Sequence, residues 1–363
     1  MAAGIAKDNG FILFVLLVPF LLIPFKWCLH IVFWNVIIYR SRVARTARFG
    51  RVVRKGKTQN NTAYFKSPAE NAERWRYPRR CENNSAEVRP LSDLWKALGF
   101  TVLVSGVTFS ITAISDYERT KRNTRQFWSE TFRMLQAPPR FSSENEVWSR
   151  LSNGQKCVLF LLGSNALVFC LWRVGFLRMF MWRWFTNSYA SKSLCLPMIL
   201  SAFSHSHWLH LTCNMFVAYS FFGGTVDKFL GIDQFAAFYV TAACVSSLTS
   251  LAHKAILRSP VKALGASGAI LAVLAYTCVQ VPDARLQLIF LPGFTFSAAT
   301  GVVGLVLFDL FGLLLGFRLF DHAAHLGGTL FGIFYARYGE NLLWKDFGDR
   351  VIKLYRKYVG DEK

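Results

Sequence analysis

Hydrophobic residues in this chain are gathered in long blocks, and they do not follow the regular spacing of an amphipathic soluble helix. Each block is close to the ~20 residues that a helix needs to cross the hydrocarbon core of a bilayer. The pattern therefore predicts an all-α, polytopic membrane helix bundle in which one N-terminal helix precedes a closely connected core of six. The predicted helices cover residues 94–114, 157–174, 199–223, 233–252, 264–280, 286–316 and 322–337.

Polar segments separate some of these blocks and set the expected domain limits. Residues 116–156 are polar and mixed in charge, and we predict a loop there. Its aromatic residues Trp128 and Phe132 suggest that this loop lies partly on the membrane surface. The polar tail, residues 341–363, is predicted to be helical or frayed. We therefore expect a seven-helix membrane domain at residues 94–340.

The first 93 residues differ in character, and we predict a targeting or disordered region there. Residues 11–39 are strongly apolar, and an arginine-rich, acid-free run follows at residues 40–57. Such a run is typical of a mitochondrial transit peptide, but the apolar block before it is not, because a transit peptide is amphipathic from its start. The block is either an additional anchor or signal-like segment, or the product of a wrong start in the gene model. Both explanations stay open at this point.

Composition and charge agree with a membrane protein. Hydrophobic residues make up 53% of the chain and charged residues only 17%, whereas about 25% is usual in soluble proteins. The net charge of +21 raises the question of nucleic-acid binding, but no recognisable nucleic-acid-binding module accompanies it. Basic loops that orient membrane helices and a basic targeting segment explain the charge. The eight cysteines form no CxxC pair, so we expect neither a disulfide framework nor a zinc site.

Histidines are concentrated in the apolar blocks, where burying an ionisable side chain costs free energy. Five of the seven histidines lie in only two of the apolar blocks, and intramembrane histidines are candidates for function. His210 and Asn214 are four residues apart, so they share one face of a helix and both can donate hydrogen bonds. In the last block, His325 follows Asp321 by one helical turn and lies among small residues, which allow helices to approach closely.

The fifth block contains a serine whose small neighbours also allow other groups to approach it closely. Ser267 is flanked by glycine and alanine in the segment GASGA at residues 265–269. A catalytic serine needs such access, a base within about 3 Å and donors for the oxyanion. The blocks that hold His210, Ser267 and His325 are the third, fifth and seventh, so they run in the same direction. We expect Ser267 and His325 one or two turns inside the same membrane face, and His210 deeper along its own block.

Two other kinds of protease site are less compatible with the sequence. His205, His207 and His210 could bind a metal if folded together, but no histidine is followed by glutamate, so an HExxH motif is absent. Aspartyl proteolysis needs two opposed membrane aspartates, and no GxGD motif occurs. We predict that Asp309 hydrogen-bonds between helices. His207 and His322 are interpreted as structural or interfacial residues.

The three motifs, taken in order, resemble the rhomboid intramembrane proteases. They are HxxxN at residues 210–214, GASGA at residues 265–269 and AHLGG at residues 324–328, and the resemblance covers about residues 90–350. It implies a rhomboid-like fold with a Ser267–His325 catalytic dyad and no catalytic acid. The other implied site residues are the oxyanion donors His210 and Asn214 beside the Ser267 N–H, Gly265 as the position of close approach, and His205 in a supporting role.

The resemblance also implies an activity and a location. The activity is that of a serine endopeptidase, which hydrolyses peptide bonds in or next to transmembrane segments of membrane proteins. It implies no cofactor and no metal, and its partners are membrane-protein substrates and the lipid bilayer, without nucleic acid. Mitochondrial members carry the extra helix at the N-terminus, which implies a multi-pass protein of the mitochondrial inner membrane. A non-catalytic rhomboid-like protein that binds and escorts membrane helices is the main alternative, and a transporter or channel is another.

Overall fold

The computed structural model describes residues 13–15, 89–136, 147–288 and 293–359. These residues are mainly helical, and apolar helices occur in all seven predicted places. The prediction of an all-α membrane bundle with one helix ahead of six is confirmed. The helices are α1 (Leu94–Gln136), α2 (Val147–Arg150), α3 (Asn153–Leu171), α4 (Arg178–Trp184), α5 (Leu196–Leu200), α6 (Trp208–Thr225), α7 (Gly231–Ile256), α8 (Ser267–Gln280), α9 (Ala298–Leu314), α10 (His322–Phe334) and α11 (Phe347–Val359).

Short elements complete the described part of the chain. Strand β1 pairs in parallel with β2, and β2 pairs antiparallel with β3. β1 is the described part of the apolar block at residues 11–39, and the rest of that block lies outside the described residues, as does the basic run at residues 40–57. The strands are β1 (Leu13–Val15), β2 (Arg285–Leu288) and β3 (Thr295–Ser297); 3₁₀ turns span Leu91–Asp93, Gly175–Leu177 and Ser201–Phe203; π-helical segments span Val226–Leu230 and Tyr335–Asp346.

Several helices are apolar enough to lie in a membrane. By length and composition alone, three helical stretches among the described residues could cross one: Leu91–Arg133, Asn153–Leu171 and Trp208–Ile256, the last containing both α6 and α7. Helices α8 and α9 are shorter apolar helices. Helices α6, α8 and α9 are therefore shorter than the apolar blocks that predicted them.

Helix α1 corrects the predicted loop at residues 116–156. It is a single helix of 43 residues, about 65 Å long at 1.5 Å per residue, and its second half is polar. No glycine or proline interrupts this half before Pro138, and helices end ahead of proline. Arg119 also forms ion pairs with Asp116 at 2.8 Å and with Asp233 of α7 at 2.6 Å. The polar sequence is thus helical because local charge pairs and a contact with α7 support it.

Helix α6 begins later than the block at residues 199–223 predicted. The chain first forms α5 and a 3₁₀ turn, then the polar run at residues 204–207, and α6 starts only at Trp208. The carbonyl of Ser201 in this 3₁₀ turn accepts a hydrogen bond from the N–H of Gly265 at 2.9 Å. This irregular segment therefore supports the loop that precedes α8.

Helix α9 likewise occupies only the second part of the block at residues 286–316. Strands β2 and β3 precede it, and the Ser297 side chain caps its start by accepting the Thr300 N–H at 3.2 Å. An N-cap serine satisfies an N–H that has no partner inside the helix. The tail at residues 341–363, predicted to be helical or frayed, is helical as far as Val359.

Helices α8 and α10 approach each other at the level of the backbone. A Cβ added at Gly328 of α10 would overlap the carbonyl group of Gly268 in α8, and one at Gly332 would overlap the carbonyl of Ala272. Small residues permit this approach in membrane helices. The core continues around Tyr335, whose ring centroid lies 4.7 Å from that of Phe238 in α7. The close crossing places the first turns of α8 and α10 side by side.

Candidate active site

The side chains of Ser267 and His325 are in direct contact. Ser267 Oγ lies 2.7 Å from His325 Nε2. Ser267 is the first residue of α8, so its N–H has no acceptor within the helix. His325 is one turn into α10 and is buried, whereas Ser267 is half-buried. The hydroxyl therefore stays accessible while the imidazole is fixed inside the bundle.

Gly265 controls how closely His210 approaches the serine. A Cβ at Gly265 would lie 2.7 Å from Cε1 and 3.1 Å from Nε2 of His210, and 3.8 Å from Ser267 Oγ. Its φ of +139° also belongs to a region that favours glycine. His210 is in the first turn of α6, because this helix begins only at Trp208, well inside the block at residues 199–223. The imidazole and the hydroxyl thus face the same small space.

Asn214 and His205 form a buried pair beside His210. Asn214 Nδ2 donates to His205 Nε2 at 2.9 Å, and the rings of His205 and His210 meet edge to face with centroids 4.9 Å apart. Burial, with a contribution from His210, lowers the pKa of His205, which precedes α6, so this ring is neutral and can accept the hydrogen bond. An amide nitrogen carries two hydrogens, so Asn214 Nδ2 can donate to a second acceptor.

The start of α10 is tied to α7 by buried polar groups. Asp321 caps α10 by accepting the Ala324 N–H at 3.1 Å, and its other oxygen lies 2.7 Å from Lys254 Nζ and 2.6 Å from Ser250 Oγ. Ser246 Oγ donates to the Ala324 carbonyl at 2.9 Å. Lys254 was not predicted as part of the site, although a lysine at the end of an apolar block was an available signal. These contacts fix the turn from which His325 projects.

A buried carboxylate lies behind His325. Asp309 Oδ1 in α9 is 2.8 Å from Nδ1 of His322 and 3.5 Å from Nδ1 of His325. The prediction that Asp309 hydrogen-bonds between helices is confirmed, because His322 belongs to α10. The interpretation of His322 as a structural residue agrees with this bond. The proximity of Asp309 to His325 was not predicted.

The arrangement suits acyl transfer better than metal chemistry. Within the described ranges, no group of three or more histidine, cysteine, aspartate or glutamate side chains is placed to hold a metal ion. His205 is paired with Asn214, and His207 is exposed at the start of α6. The Ser267 hydroxyl instead contacts the His325 ring, and the His210 ring faces the same small space; a nucleophile beside a base is what acyl transfer requires.

Comparison with known proteins shows that a family model and several related proteins agree with one another. The Rhomboid domain model matches residues 181–340. The chain is 42% identical over 275 residues to the human "Presenilin-associated rhomboid-like protein, mitochondrial", which covers 74% of this chain and 72% of that protein. It is 37% identical over 277 residues to "Presenilin-associated rhomboid-like protein A, mitochondrial" of Danio rerio, covering 69% and 72%. It is 33% identical over 183 residues to "Rhomboid protein 1, mitochondrial" of Saccharomyces cerevisiae, covering 50% and 52%.

Proposed function

The chain belongs to the rhomboid family, and we propose that it is an intramembrane serine protease with a catalytic dyad of Ser267 and His325. The observation that carries this proposal is the 2.7 Å contact between Ser267 Oγ and His325 Nε2. A nucleophile within hydrogen-bonding distance of a base is the basic requirement for covalent catalysis by serine. We also propose the mitochondrial inner membrane as its location, since the names of its relatives include the word mitochondrial.

The proposed reaction begins with attack by Ser267 Oγ on the carbonyl carbon of a substrate peptide bond. His325 Nε2 takes the hydroxyl proton as the C–O bond forms, and it then gives that proton to the leaving amine as the C–N bond breaks. The products of this half-reaction are an acyl-enzyme and a free amine. Water then attacks the ester with His325 as base, which releases the acid and restores the Ser267 hydroxyl.

The groups around the serine would stabilise the oxyanion of the tetrahedral intermediate. The N–H of Ser267, the ring of His210 and the amide of Asn214 are the proposed donors. Each donor of this kind typically contributes ~10²–10³ in rate. The hydrogen bond from Asn214 to His205 supports a role for His205 in orienting the amide. Gly265 supports the site by leaving room for the His210 ring.

The test is cleavage of a single-span membrane substrate by the purified protein in liposomes. We expect the wild type to cut and both Ser267→Ala and His325→Ala to be inactive. Ser220→Ala is the matched control, since Ser220 Oγ bonds to its own helix. This control should cut like the wild type. Equal cleavage by all variants would point to a different active site, and binding of the substrate without cleavage would favour the non-catalytic alternative.

A further inference from the structure

Asp309 is a carboxylate in the middle of an apolar helix, and its side chain is only 1% exposed. Charge buried in a membrane bundle is costly and is retained where it has partners. Both partners here are imidazoles of α10, three residues apart in the chain, and both present Nδ1 to the same oxygen, Oδ1. One of the two rings is the proposed base His325. The carboxylate therefore meets the site from the side opposite Ser267.

The neighbouring histidine is held firmly, and this fixes the carboxylate. Gly312 lies one turn after Asp309 on α9, and a Cβ there would collide with the ring of His322. His322 Nδ1 donates to Asp309 at 2.8 Å, while its Nε2 is buried with no hydrogen-bond partner among the described residues. Gly312 thus leaves room for the His322 ring, and the hydrogen bond from that ring holds Asp309 Oδ1 at a fixed distance from His325.

The contacts of His325 indicate which of its nitrogens carries the proton. A carboxylate oxygen can only accept, so Nδ1 facing Asp309 at 3.5 Å is the protonated nitrogen. Nε2 then holds the lone pair that accepts from Ser267 Oγ at 2.7 Å. In this tautomer Nε2 can act as a general base towards the Ser267 hydroxyl. The 3.5 Å separation is long for a hydrogen bond, but such contacts often tighten only when the charge develops.

We propose that Asp309 is a positioning residue for His325, holding its ring in the Nδ1-protonated tautomer and stabilising the imidazolium that forms when Ser267 attacks. The proton moves only from Ser267 Oγ to His325 Nε2, and Asp309 stays ionised throughout, as orienting carboxylates in serine hydrolases do. This inference rests on the proposed function. It adds a third residue to the dyad that the family resemblance implies.

The first test uses Asp309→Asn, which keeps the shape of the side chain and removes its charge. We expect kcat to fall by about 10²-fold with KM unchanged, because the interaction is made mainly in the transition state. The acid limb of the pH–rate profile should move to lower pH, since the imidazolium loses its neighbouring carboxylate. Among the described residues, the titratable and charged groups around His325 are Asp309 of α9, the rings of His322 and of His210 in α6, and the Lys254–Asp321 pair at the junction of α7 and α10.

Asp233→Asn is the matched control, because it removes a half-buried, ion-paired carboxylate at the start of α7, the end of that helix remote from Lys254. It should lower the melting temperature but leave the acid limb in place, and Asp309→Glu should recover part of the lost kcat. The inference is overturned if Asp309→Asn keeps the wild-type kcat, or if its acid limb stays at the wild-type pH. If the wild type cuts and Asp309→Asn behaves like it, only this inference fails. If the wild type itself does not cut, the proposed function fails.

A second measurement needs no Asp309 variant to fold. Nitrogen NMR of ¹⁵N-histidine-labelled wild type, with His325→Ala used to assign the signal, reports the tautomer of His325 directly. We expect a neutral ring protonated at Nδ1 above the acid limb. A ring protonated at Nε2 would contradict the inference even if the enzyme is active, because such a ring cannot donate to Asp309.

Discussion

Lys254 Nζ lies 2.7 Å from Asp321 Oδ2, and both residues belong to the junction between the end of α7 and the start of α10. Lys254 is only 7% exposed. The same carboxylate caps α10 through the Ala324 N–H, one residue before His325. A buried ion pair thus joins two helices at the point where the proposed base projects into the site.

Removal of one partner of this pair should destabilise the protein. We expect Lys254→Met to lower the free energy of unfolding by about 3 kcal/mol, because the buried carboxylate is left without its cation. The double variant Lys254→Met with Asp321→Asn should recover part of the loss. Thermal unfolding in detergent would measure both. Lys345→Met, which changes an exposed lysine, is the control, and a single Lys254 variant as stable as this control would contradict the prediction.

Gly265→Ala should reduce cleavage strongly without unfolding the protein. The added Cβ would lie 2.7 Å from the His210 ring, and a positive φ costs about 1–3 kcal/mol for other residues. Displacing an oxyanion donor should lower kcat by about 10²-fold. The matched control is Gly163→Ala in α3, where an added Cβ meets open space. Similar cleavage rates for the two variants would show that close approach at Gly265 is unimportant.

His205 and Asn214 should act as one unit in a double-mutant cycle. We expect Asn214→Ala to lower kcat by about 10²-fold and His205→Ala to lower it less, since the proposed role of His205 is to orient the amide. Once Asn214 is replaced, the His205 substitution should have little further effect on kcat. Fully additive losses in the measured kcat values would mean that the 2.9 Å bond has no role in catalysis.

Substrate helices that unwind easily should be cut faster. A peptide bond inside a stable helix is shielded, so the segment at the cut must open before Ser267 can attack. Replacing two glycines near the cleavage point by leucine should slow cleavage by about tenfold, because each glycine weakens a helix by about 0.8 kcal/mol relative to leucine. The same replacements at the opposite end of the substrate helix should have little effect on the cleavage rate. Equal cleavage of a poly-leucine helix would refute this preference.

Much of the site could be predicted from local sequence. Apolar blocks of membrane-spanning length predicted the helices, and the four-residue spacing of His210 and Asn214 predicted one shared helix face. Ionisable residues are scarce in these blocks, so the histidines and Asp309 could be predicted to have a functional or hydrogen-bonding role. These features depend only on helix periodicity and on the cost of burying polar groups, both of which act locally.

Helix ends were predicted less well, because contacts between remote segments decide them. The polar half of α1 is helical with support from the ion pair of Arg119 with Asp233, which lies more than a hundred residues away. The start of α6 is delayed to Trp208, while the preceding segment supports the loop before α8 through Ser201 and Gly265. Hydropathy alone carries no information about such pairings.

The sequence by itself determined the seven apolar helices, the family and the residue types of the site. The tertiary structure decided that Ser267 and His325, 58 positions apart, meet at 2.7 Å, because α8 and α10 cross in backbone contact through Gly268 and Gly328. It also decided that Asp309 faces His325. Periodicity fixes which side of a helix a residue occupies, but only the packing of one helix on another determines which side chains share a site.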